Sequence, residues 1–258
     1  MATTKNDYLS TKPTDKVIQH KDVRIPKMST GAYLAANKIA EMFEKNVFPR
    51  IGFGHPYVAA QWTVDTAGTG GAVAESSVAG GGILLTTASD AAFNNNHQSV
   101  QIWTPAAGKI VSCWARVTPN DVDKIGFKIG IGDAQADPFA TNYTDCVVIS
   151  KAVATGIVTG AVRGNSGTQA VSGTLVTMTD ASTADLGFWF SIGTSATVGT
   201  AGAWYCNGTW TGFTAAQCVQ LFAILTTPPS VYFNVNATGT TGGNYTLQVI
   251  AAACEVDN

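Results

Sequence analysis

The side chains best equipped for chemistry in this 258-residue chain are sparse and scattered. Hydrolysis of a glycosidic bond needs two carboxylates flanking a cleft. The only glutamates are Glu41, Glu44, Glu75 and Glu255. Two fall in a helical N-terminal stretch, one follows a glycine-rich turn, and one is near the C-terminus, so no strand-like run carries acids at alternate positions. The histidines, His20, His55 and His97, are too far apart in sequence to suggest a zinc site. Asp121 with Asp123, and Asp133 with Asp137 in DAQAD, could offer oxygens to calcium. The spacing lacks the glycine and closing glutamate of an EF-hand loop, and solvated turn carboxylates are the simpler reading. The expectation is therefore no cofactor, with calcium as the alternative.

Two further motifs bear on activity. RGNSGT, residues 163–168, partly resembles the GDSG around a trypsin-like nucleophile, but Asn165 replaces the acid and no matching histidine motif accompanies it. It reads as a turn built on Gly164 and Gly167. Trp204, Tyr205 and Trp210 flank the pair Asn207-Gly208 and could form an aromatic platform for sugar rings, although strand aromatics more often fill a core or an interface. The glycines at 68, 70, 71 and 80–82 precede no GK[ST] and no helix, so they read as hairpin turns rather than a phosphate cradle.

The elements that must position these residues are mostly strands. In residues 125–131, Ile125, Phe127, Ile129 and Ile131 alternate with Gly126, Lys128 and Gly130, the period of a strand with one buried face. Before it, Val111, Cys113, Ala115 and Val117 form one face, with Trp114 and Arg116 on the other. The link TPNDVD supplies turn residues, and the pair reads as a hairpin. ASDAAFNNNHQ reads as a polar loop. Leu186, Phe188, Phe190 and Ile192 face one way and Trp189 the other. Asn207-Gly208 is a type I′ turn signal. AAQCVQLFAIL is a helix or a buried strand. VYFNVNA and YTLQVIAAACEV alternate and close the sheets. Eleven to thirteen short strands without intervening helices predict an all-β protein, a jelly-roll or concanavalin-like β-sandwich over 51–258.

Ahead of it, residues 1–50 read as an extended arm with one amphipathic α-helix at about 29–46, where Ala32, Ala35, Ala36, Ile39, Met42 and Phe43 form an apolar stripe. A lone helix of this length is marginal in water, so the stripe must pack on its own sandwich or on a neighbour. This arm carries net charge +4 and the remainder −6, and only 12% of all residues are charged. Arg24, Lys27, Tyr33, Ile39, Met42, Phe43 and Arg50 are the candidate contact residues of such a grip. With no basic cluster in the body, no nucleic acid is expected as a ligand. No apolar run approaches a bilayer's thickness, so no membrane is expected, and the N-terminus lacks a signal-peptide core. The five cysteines lack metal-site spacing and read as reduced packing residues of a chain made in a cytoplasm.

WTVDTAGTGG, then GGGILLTTASDAAFNNNHQSVQIWTPAAGKIVSCWARV and KIGFKIGIGDAQADPF, resemble a group of tailed-bacteriophage virion structural proteins. The shared features are a glycine-led strand, an Asn-rich loop, a PAAGK turn and a GI strand followed by acids. The resemblance spans about residues 57–140 and brings no catalytic residue. It implies a non-enzymatic capsid decoration or cement protein on the virion surface, binding the major capsid protein as a homo-oligomer, with a trimer favoured. A carbohydrate-binding module of a phage fibre or surface protein is the alternative.

Overall fold

A computed structural model describes residues 62–66, 70–77, 82–89, 94–134 and 143–257. The arm, the helix at 29–46 and the seven grip residues lie outside them. Fourteen strands and one helix are formed by the described residues. The strands are β1 (Trp62–Thr66), β2 (Ala72–Glu75), β3 (Ile83–Thr86), β4 (Asn94–Trp103), β5 (Ile110–Pro119), β6 (Ile125–Gly132) and β7 (Cys146–Lys151). Then come β8 (Ile157–Arg163), β9 (Ala170–Thr177), β10 (Ala184–Ser191), β11 (Ala201–Cys206), β12 (Thr209–Gly212), α1 (Ala215–Ala223), β13 (Val231–Gly239) and β14 (Thr246–Asp257).

They form two seven-stranded antiparallel sheets. Sheet A has the order β1-β4-β13-β6-β7-β8-β9, and sheet B β12-β11-β10-β5-β14-β3-β2. The expected all-β sandwich is what the chain forms. Between the sheets lie Phe127, Ile129 and Ile131 of β6, Phe233 and Val235 of β13, Val111 and Cys113 of β5, and Phe188 and Phe190 of β10. Each fully buried side chain of this kind contributes roughly 1.5–3 kcal/mol. Trp204 joins this layer, with its ring centre 5.6 Å from that of Phe188 and 4.6 Å from that of Phe213. A Cβ at Gly160 would stand 2.3 Å from the Trp204 ring, so β8 passes the indole only because that position has no side chain.

Two expectations need correction. β5 and β6 are not a hairpin: β5 pairs with β10 and β14, and β6 with β13 and β7. Their link instead arches from one sheet to the other, because Val122 turns into the core and the Asp180 carboxylate holds its N–H at 2.7 Å. The Asn-rich stretch at 94–96 is strand, not loop, since β4 continues through it to pair with β1 and β13.

Of the two readings open for AAQCVQLFAIL, the helix is the one formed. Thr214 caps α1: its hydroxyl accepts from the Gln217 N–H, and the Gln217 side chain accepts from the Thr214 N–H. At the β11–β12 turn Asn207 and Gly208 have φ of 45° and 89°, the two positive angles of a type I′ turn.

Candidate binding site on the outer face of sheet A

Strand alternation decides what sheet A shows on the side away from the core. In β6 the outward positions are Gly126, Lys128, Gly130 and Gly132, so this central strand presents a single side chain, Lys128. In β13 they include Tyr232, Asn234 and Asn236, since Phe233, Val235 and Ala237 point inward. Register sets Asn236 opposite Lys128 on one side and Asn96 on the other, with Asn234 opposite Gly130 and Gln98. Lys128 in turn pairs with Ser150 of β7, and Ser150 with Thr159 of β8. A row of amides, hydroxyls and one ammonium thus crosses the sheet.

Glycine shapes the middle of this face. A Cβ on Gly132 would lie 2.7 Å from the ring of Tyr143, so the missing side chain is the space the tyrosine fills. The ring packs on Cys146, Val148 and Ala161. Its hydroxyl accepts a 2.6 Å hydrogen bond from Asn236 Nδ2. Burial pushes the phenol well above its ordinary pKa of 10.0, so it stays protonated at neutral pH.

The loop carrying Tyr143 is pinned on both sides. Arg163 Nη1 donates to the Tyr143 carbonyl at 2.9 Å, and its Nε donates to Gly167 O at 2.8 Å. Asp133 Oδ1 accepts from the N–H groups of Thr144 and Asp145 at 2.9 and 3.1 Å. Asp145 Oδ1 takes the Asn165 N–H at 2.6 Å, and burial raises this carboxyl's pKa.

The amides carry the site's unmet chemistry. Asn234 Nδ2 donates to Tyr232 O at 2.9 Å. Asn234 and Asn236 are both buried, and neither Oδ1 accepts a hydrogen bond from a described residue. Buried polar atoms are normally paired, and each one left without a partner costs about 1–3 kcal/mol. Both oxygens are enclosed, so what this face offers a ligand is the partly exposed row of Lys128, Ser150, Thr159 and Tyr232.

The residues singled out from sequence fare differently. Trp204 and Tyr205 do not form an exposed platform. Being consecutive in a strand they point to opposite faces: Trp204 is in the core at 0% exposure, and Tyr205 is on the outer face of sheet B at 2%. Trp210 is half-buried, its ring centre 5.0 Å from that of Tyr205. Asp121 accepts from the N–H groups of Asp123 and Lys124 and so caps its own turn, while Asp137 lies outside the described residues. Among the described residues no three His, Cys, Asp or Glu side chains gather as a metal site would need. RGNSGT is a turn, with Asn165 and Ser166 at φ of 49° and 58°.

Neither the protein-family models nor the curated proteins include a match to this chain. Solved structures do match. Alginate lyase A1-II′, of polysaccharide lyase family 7, aligns with a TM-score of 0.53 at 10% identity, covering 77% of this chain and 95% of that one. The endo-β-1,4-glucuronan lyase of the fungus Trichoderma reesei aligns at 0.51 and 10%, covering 74% and 89%. The globular domain of T. cruzi calreticulin aligns at 0.53 and 11%, covering 78% and 86%.

At such identities the likeness is one of fold. It nevertheless overturns two expectations. The decoration-protein reading, with the major capsid protein as partner, took a plain two-sheet body to be mechanical; the same body carries polysaccharide lyases. The exclusion of enzymatic activity falls for the same reason, because the absence of paired glutamates rules out one route of sugar chemistry and not elimination.

Proposed function

We propose that this protein is carbohydrate-active and binds a polysaccharide along the outer face of sheet A. The observation that carries this reading is the partly exposed polar row of Lys128, Ser150, Thr159 and Tyr232 on that face. The Ser150 and Thr159 hydroxyls can exchange hydrogen bonds with sugar hydroxyls, and Lys128 supplies charge complementarity to an acidic sugar. Tyr143 is buried beneath this row, where its hydroxyl holds Asn236 in place. The fold shared with an alginate lyase and a glucuronan lyase supports uronate-containing chains as the first ligands to test.

The test is calorimetric titration of the full chain with alginate, a glucuronan and a neutral β-glucan. Ultraviolet absorbance, followed in parallel, detects the unsaturated ends that elimination would leave. We expect binding to at least one acidic polymer, weakened about tenfold or more by K128A, as loss of a hydrogen bond to a charged group implies. Absence of binding to any polymer, or unchanged binding in the variant, overturns the reading.

A further inference from the structure

One flank of the sandwich differs in chemistry from the rest. Sheet A ends there in β9 and sheet B in β12, β9 packs beside β11, and α1 lies against β8 and β9. No Asp, Glu, Lys, Arg or His occurs from Gly164 to Thr179 or from Leu186 to Cys254, so β9, β11, β12 and α1 carry no charged side chain. The charges at the border are engaged within the chain: Arg163 donates to Tyr143 O and Gly167 O, Asp180 accepts from the Val122 N–H, and Asp185 pairs with Arg116. Apolar side chains meet water on the same flank. Val171 of β9 is 53% exposed and Val219 of α1 49%, and the other large hydrophobics exposed among the described residues are Ile157, opposite Thr177 of β9, and Val198 in the link into β11. A soluble surface normally intersperses charges of both signs, whereas the cores of subunit interfaces are depleted of them.

We propose that two copies of this chain join through this flank about a two-fold axis. In such a contact each side chain near the axis meets its own copy, so an ionised group there would face a like charge. A flank without ionised groups meets that requirement. A partner of different sequence would be recognised by unlike charges, and this flank offers it none. Residues 51–258 carry a net charge of −6, so two bodies repel each other, and none of the described carboxylates lies on β9, β11, β12 or α1. The size is also adequate: an eight-residue strand is about 27 Å long, and two sheets about 10 Å apart with their outer side chains make the flank about 25 Å across, close to the ~800 Å² per partner of a standard interface. Register shifts at Val158/Thr159 and Thr159/Ala161 bend the β9 edge, so the contact is one of packed side chains and not a continued sheet.

Sedimentation equilibrium of the full-length protein from about 1 to 100 µM tests the contact. We expect a monomer–dimer equilibrium whose dissociation constant rises at least about tenfold when Val171→Asp and Val219→Asp are combined, and equally when Val171→Lys and Val219→Lys are combined. An equal mixture of the Asp and Lys variants should associate again, because unlike charges then meet across the axis; loss of fold in either variant could not be rescued in this way. Raising the salt from about 0.05 to 0.5 M should not weaken the wild-type dimer, since no ion pair holds it. A monomer at every concentration, a trimer or larger assembly, or a dimer that both variants leave intact overturns the proposal. So does a mixture that stays monomeric, or a dimer that salt dissociates.

Discussion

Asn236 Nδ2 donates to the phenol oxygen of Tyr143 across 2.6 Å, joining two residues 93 positions apart. The contact fixes a loop side chain over a glycine of the neighbouring strand and leaves the enclosed carboxamide oxygen without a donor among the described residues. Removing the hydroxyl with Tyr143→Phe strands the amide's donor as well. We expect a loss of about 1–3 kcal/mol in chemical denaturation, because a buried donor then has no partner. A stability equal to wild type would show that the hydrogen bond adds nothing.

Gly160→Ala tests the core from the opposite side of sheet A. Its Cβ would fall 2.3 Å from the Trp204 indole, which is enclosed by Phe188 and Phe213 and cannot swing away. Overpacking of this kind costs about 1–3 kcal/mol. A midpoint of thermal unfolding within error of wild type would mean that β8 yields freely at this point.

Which face of each strand is buried was readable in the chain; which strand lies beside which was not. Ile125, Phe127, Ile129 and Ile131 alternate, and all four are in the core. The same alternation is silent on partners, so β5 and β6 read as a hairpin when Val122 instead tucks under the arch between two sheets. The candidate site was half visible: asparagines at alternate positions in VYFNVNA lie between inward Phe233, Val235 and Ala237 and therefore had to face outward. Tyr143 gave no such signal, because it comes from a loop and reaches its place through tertiary contacts with Gly132, Asn236 and Arg163. The aromatic platform failed on strand geometry, since consecutive residues such as Trp204 and Tyr205 cannot share a face.

The buried thiols set a further expectation. Burial pushes Cys146 and Cys206 up to about 12, and Cys113 is buried as well. A thiol reagent at pH 8 should therefore reach at most Cys218 and Cys254 in the native protein, and all five cysteines after denaturation. Three or more fast-reacting thiols in the folded chain would contradict the burial. The same raised values make these two groups destabilising above pH 9, where the unfolded thiols ionise and the folded ones do not.

Lys151 works in the opposite sense. Its side chain is buried, and Nζ donates to the carbonyls of Val122, Ile125 and Ala152, which ties β7 to the arch between β5 and β6. Burial lowers its pKa from 10.5 to about 8, against the pull of Asp123, Asp121 and Asp180. Between pH 8 and 10.5 the unfolded chain then holds one more proton at this site than the folded one, so stability from this group rises with pH, by about 1.4 kcal/mol per unit. Below pH 8 both states are charged and the burial penalty is constant. Lys151→Met removes the slope along with the three hydrogen bonds. Denaturation midpoints of wild type and variant should therefore diverge from pH 8 to 10.5, with wild type gaining relative to the variant. The difference between the two proteins cancels the thiol contribution that both share. A gap that stays flat across this range would place the Lys151 pKa in the folded chain near that of an ordinary lysine, with the three carbonyl acceptors offsetting the cost of burial.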